Sequence, residues 1–78
     1  MGTKNHPGEF DCYAAAHPDE PMFVLIARDR FAADLAEIWA DLREAQIDAG
    51  LKPESDRRMV AEARECARAM RAWREGRT

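Results

Sequence analysis

The sequence predicts an all-α chain. It reads as an antiparallel helical hairpin over about 29–49 and 54–75, closed by a short apolar element over about 21–28 and preceded by an irregular N-terminus. Three observations predict this. Phe31, Leu35, Ile38, Leu42, Ala45 and Ala49 recur at alternating steps of four and three, which lays them along one face of a helix. Met59, Val60, Ala63, Cys66, Ala67, Met70 and Trp73 recur at helical spacing further on. The connection Leu51-Lys52-Pro53-Glu54-Ser55 is short, so the two helices are expected to lie antiparallel.

Taken in order, residues 1–18 carry Gly2, Pro7, Gly8 and Pro18 with little periodicity. They are expected to be an irregular or flexible lead-in, with Phe10 and Tyr13 as anchors and Ala14-Ala15-Ala16 as a turn of helix. Residues 19–78 form the single small domain. Asp19-Glu20-Pro21 is a helix-start signal: an acid able to cap, a second acid at the positive end of the dipole, and a proline whose missing N–H costs nothing there. The apolar run Met22 to Ala27 that follows fits a short helix ending near Asp29, with a buried strand as the alternative that Val24 and Ile26 favour. Its expected role is a lid across the hairpin, so that Phe23→Ala or Leu25→Ala would cost about 2–5 kcal/mol.

Asp29 is the expected N-cap of the first long helix, and Gly50 supplies the left-handed residue that ends it. Pro53 or Ser55 starts the second, and Gly76 stops it. Ala45, Ala49, Ala63 and Ala67 are expected to allow close approach, with Trp39 and Trp73 filling the wider parts. A chain of 78 residues buries little of its surface, which makes a homodimer covering Met59, Met70 and Trp73 one way to complete the core.

The charge is divided unevenly. Residues 1–51 hold ten acids against four bases, a net of −6, and residues 52–78 hold five acids against eight bases, a net of +3. On the first long helix Asp34, Glu37, Asp41, Glu44 and Asp48 form one acidic stripe about a quarter-turn from the apolar face. Like charges at these spacings repel by a few tenths of a kcal/mol per pair, so the stripe has a stability cost. It reads either as a solvated face or as a partner-binding ridge offered to a basic surface that otherwise receives phosphates. On the second helix Arg57, Arg64, Arg68 and Arg71 align nearly opposite the apolar face and are expected to point to solvent, away from the first helix. They are the secondary candidates for partner binding.

Other chemistry has little footing in the sequence. No glycine-rich phosphate loop or nucleophile elbow is present, and Ser55 is the sole serine, placed at a helix start. No catalytic residue, metal ligand or cofactor is therefore assigned, and the chain reads as non-enzymatic. Cys12 and Cys66 lack the spacing of a metal or redox pair, and His6, Cys12 and His17 match no structural zinc pattern. Overall acidity disfavours direct nucleic-acid binding. No apolar run is long enough to span a bilayer, and the N-terminus lacks a signal-peptide pattern, so a soluble cytoplasmic protein is expected.

The segment from Asp19 through Asp29, then Ile38-Trp39-Ala40 and Met70-Arg71-Ala72-Trp73, resembles small proteins encoded in phages and prophages of proteobacteria. The resemblance spans about residues 13–74 and lies in overall cadence. Size and acidity are also similar to phage anti-CRISPR proteins, including inhibitors of type I surveillance complexes. That resemblance implies a compact non-enzymatic inhibitor in a bacterial host. It would bind a nucleic-acid-binding subunit of the complex and block target-DNA binding. It assigns no residue, because those families share no motif. The alternative is a small homodimeric helical adaptor in phage or prophage protein assembly.

Overall fold

The computed structural model describes residues 1–77. Its elements are a one-turn helix α1 (Cys12–Ala15), a long helix α2 (Ala32–Asp48), and a second long helix α3 (Arg57–Glu75) entered through a 3₁₀ turn at Glu54–Asp56. No strand occurs among the described residues. The expected hairpin is present, with α2 and α3 packed along their length in antiparallel order.

Local chemistry explains the boundaries. Asp29 sits outside α2 and not at its N-cap: its side chain accepts the Phe31 N–H at 2.9 Å and its carbonyl accepts from Ala32, so it organises the turn that leads in. At the other end Gly50 adopts φ +79°. The Leu51 N–H then reaches the Gln46 carbonyl at 2.8 Å and the Gly50 N–H reaches Ile47 at 3.0 Å, which satisfies two otherwise orphaned carbonyls. Pro53 caps the 3₁₀ turn, and Gly76 ends α3 while staying in the right-handed region.

The core is small and built from small residues. Ala32, Ala33, Ala40 and Ile47 are buried on α2, and Val60, Ala63 and Ala67 on α3. Residues 33, 36, 40 and 47 share one side of α2 by helical geometry, so the backbones approach through alanines. The alanines expected on the α2 side of this contact, Ala45 and Ala49, are exposed instead. Trp39 and Trp73 lie at its margins, 37% and 41% exposed, each with an arginine over its ring: Arg43 at 5.1 Å and Arg77 at 3.7 Å.

The element over 21–28 is neither helix nor strand. Residues 21–26 are irregular, with no helix or ladder assigned, and the chain turns at 27–28. Phe23 is 83% exposed, so the expected lid with Phe23 in the core is not formed. Only Leu25 and Ala27 are half-buried, and residues 25–28 lie along a groove on the Cys66, Met70 and Trp73 face of α3. The helix-start signal at Asp19-Glu20-Pro21 is absorbed locally, with the His17 N–H donating to the Glu20 carboxylate and the Glu20 N–H to the His17 carbonyl.

The N-terminal stretch is irregular, as expected, but it is tied down. The Met1 ammonium donates to Glu62 Oε2 at 2.6 Å, and the Glu9 and Phe10 N–H groups donate to the same carboxylate at 2.9 and 3.0 Å. Gly2 and Gly8 fall where a Cβ would collide with His6 and Met1 backbone atoms, so the loop closes tightly. Phe10 is an anchor under Arg58, whereas Tyr13 is 77% exposed and anchors nothing. Thus α3 is covered by the N-terminal loop on one side and by α2 on another.

Candidate functional site

The acidic stripe and the arginines are one structure. Arg57, Arg64 and Arg71 stand seven residues apart on α3, and each turns toward α2. Arg71 bonds Asp34 at 2.7 Å and Glu37 at 3.1 Å, Arg64 bonds Asp41 at 2.9 Å and Glu44 at 3.0 Å, and Arg57 bonds Asp48 at 2.8 Å. Arg57 is also held by Glu54 from its own turn. The five partner-binding candidates of α2 are thereby all paired within the molecule. The expectation that these arginines point away from α2 is corrected for three of the four: their long side chains reach across the narrow alanine-lined contact. Arg68 alone of that set stays on the outer side, paired with Glu65 at 2.7 Å.

The pairing has a clear electrostatic sense. Each guanidinium's proton affinity is raised by its carboxylates: Glu54 then Asp48 for Arg57, Asp41 then Glu44 for Arg64, and Glu37 then Asp34 for Arg71. The mutual repulsion of the acids is offset by cations placed between them. A further ion pair, Arg43 with Asp56 at 3.0 Å, ties the opposite edge of α2 to the start of α3.

With one edge of α2 in this ladder and the adjacent side against α3, the large apolar side chains are left on the far side. At about 100° per residue, Phe31, Leu35, Ile38 and Leu42 lie roughly 180° from the buried Ala33, Ala40 and Ile47. They are 57%, 42%, 53% and 64% exposed. The row expected to face α3 therefore faces outward. Its spacing is that of a coiled-coil seam, with Asp34, Asp41 and Asp48 along one flank and Trp39 and Gln46 along the other.

The remaining surface offers little chemistry. The groove beside residues 25–28 measures ≈ 400 Å³ and is lined mainly by apolar groups, with Lys4 and Arg28 at its rim and neither histidine in its wall. Cys66, in that wall, has its thiol pushed up by burial, which outweighs the downward pull of the Met1 ammonium, with a lesser upward push from Glu62. No group of three or more histidine, cysteine or acidic side chains able to hold a metal occurs among the described residues. None of the described helices is long and apolar enough to cross a membrane.

The fold and surface together define an all-α hairpin with an internal ion-pair ladder and an outward apolar seam. Compared with protein-family models, curated proteins and solved structures, the chain matches none of them.

Proposed function

We propose that the chain is a non-enzymatic binding module that engages a protein partner through the apolar seam of α2. The observation that carries this is the row Phe31, Leu35, Ile38 and Leu42, 42–64% exposed and directed away from α3. Scattered apolar residues on a surface need no explanation, but a continuous row at coiled-coil spacing does. Covering it recovers about 25 cal/mol per Å² of apolar area. Ile38→Glu and Leu42→Glu test the reading, since both positions lie off the hairpin core. Helix content by circular dichroism should hold in both variants while partner binding is lost. Unchanged binding in both would sink the proposal.

A second reading makes the chain a phage-derived inhibitor that docks on a basic subunit of a type I CRISPR-Cas complex and blocks target-DNA binding. It draws on the resemblance described above and on one observation: the Asp34, Asp41 and Asp48 side chains remain 60–68% exposed while paired. The ladder bears on how it must be tested, because simple charge reversal on α2 breaks internal pairs. A swap, Asp41→Arg and Glu44→Arg with Arg64→Asp, keeps opposite charges in both contacts of that layer and moves the positive charge to the α2 edge. Inhibition of DNA binding that survives the swap rules out the acidic edge as the contact.

A further inference from the structure

We infer that the seam is covered by a second copy of this chain, its α2 running antiparallel about a two-fold axis near residue 40. The inference rests on the reading of the seam as a protein interface and adds the identity and orientation of what covers it.

The surface area points to a partner of substantial size. The chain exposes 6181 Å², whereas a compact monomer of 8.9 kDa exposes about 4,800 Å². The excess of roughly 1,400 Å² is spread over the whole chain, the exposed residues 17–24 included, and leaves room for the ~800 Å² that each partner contributes to a standard interface. The radius of gyration agrees: it is 13.2 Å, against about 11.5 Å for a compact chain of this length.

The graded size of the seam selects a second copy in antiparallel order. Bulk lies at the start, in Phe31 and Leu35, and the far end is small, in Ala45 and Ala49. With the axis near residue 40, Phe31 meets the small Ala49 of the other copy, Leu35 meets Ala45, and Ile38 meets Leu42. Large sits against small at each layer, which keeps the helices evenly spaced. A parallel pair would set Phe31 against Phe31 and Ala49 against Ala49, wedging one end apart. A C₂ contact of this kind is isologous, the same patch serving both copies.

The ladder removes the obstacle to this arrangement. In the antiparallel pair Asp41 lies near Asp41 of the other copy, and Asp34 near Asp48, juxtapositions that repel when the carboxylates are bare. Arg64, Arg71 and Arg57 already stand beside these groups. On the other flank the two Trp39 side chains approach across the axis.

Sedimentation equilibrium and disulfide trapping test the inference. The wild-type chain at micromolar concentration should have about twice the 8.9 kDa chain mass, and Ile38→Glu should halve it. In a background with Cys12→Ser and Cys66→Ala, a mixture of Leu35→Cys and Ala45→Cys chains should form the mixed disulfide. Leu35→Cys alone should not dimerise covalently, because ten residues of helix separate the two thiols by about 15 Å, beyond the ~7 Å Cα limit of the bond. A single-chain mass at hundred-micromolar concentration, or a Leu35→Cys homodisulfide, overturns the antiparallel dimer. If the chain is a monomer and Ile38→Glu abolishes capture of a different protein, the second copy is wrong and the binding module stands. If it is a monomer and no seam substitution alters any binding, both fall.

Discussion

Arg64 of α3 bonds Asp41 of α2 at 2.9 Å, and the contact repeats one heptad to either side, as Arg71 with Asp34 and Arg57 with Asp48. Because these pairs are solvent-exposed, their contribution is screened by salt. The triple variant Asp34→Asn, Asp41→Asn, Asp48→Asn should melt below the wild type at low ionic strength, and the gap should close as salt is added. A gap that persists at 1 M salt would show that the acids act by some means other than charge.

Glu62 gathers the N-terminal loop. Burial pulls its carboxyl upward, but hydrogen bonds from the Met1 ammonium and from the Phe10 and Glu9 N–H groups prevail and hold it below the usual carboxylate range. A depressed carboxyl contributes stability that is fully present above its unfolded value and is lost as pH falls through the folded one. The loop should therefore detach only below the pH range where ordinary carboxylates titrate. Glu62→Gln should cost about 1 kcal/mol in denaturant unfolding and speed amide exchange at Glu9 and Phe10. Unchanged exchange at those two amides would sink this account.

The helix contact is made by alanines, so it should resist enlargement more than truncation elsewhere. Ala63→Leu should cost about 1–3 kcal/mol by forcing the helices apart. Phe23→Ala should stay within about 0.5 kcal/mol, because the ring is 83% exposed. Urea titrations of the two variants give the comparison, and the reverse order would mean that residue 23 is covered in solution.

The two cysteines should differ in reactivity. Cys12 is exposed, whereas Cys66 is half-buried with its thiol pushed up. At neutral pH iodoacetamide should label Cys12 well before Cys66, read by mass spectrometry of the digested chain. Equal rates would indicate that the groove around Cys66 is open.

The hairpin, its turn and the C-terminal end of α2 were legible in the sequence because they depend on local chemistry, Gly50 above all, whereas the start of α2 was not, since Asp29 organises the turn before the helix and does not cap it. Which side of α2 faces α3 was not. Helical periodicity marks Phe31, Leu35, Ile38 and Leu42 as a face, but α2 carries a second apolar side in Ala33, Ala36, Ala40 and Ile47, and the small one packs inside. The ladder was missed for the same reason, since placing the arginines requires knowing which sides meet. A signal was present all the same: acids at 34, 41 and 48 and arginines at 57, 64 and 71 share a seven-residue spacing, which aligns antiparallel helices charge to charge. The irregular course of 21–26 was not legible, because a short apolar run carries no period of its own.

The ladder also has a kinetic consequence. A chain whose halves carry −6 and +3 would be strongly polar if they lay apart, and its encounters would be steered over long distances. Folding α3 onto α2 brings the opposite charges together within a few ångströms, so much of that far field cancels. Association through the seam should then proceed at an unsteered rate of about 10⁵–10⁶ M⁻¹s⁻¹, nearly flat across ionic strength. Selectivity is consequently left to dissociation, governed by how well the other surface fits the taper from Phe31 to Ala49.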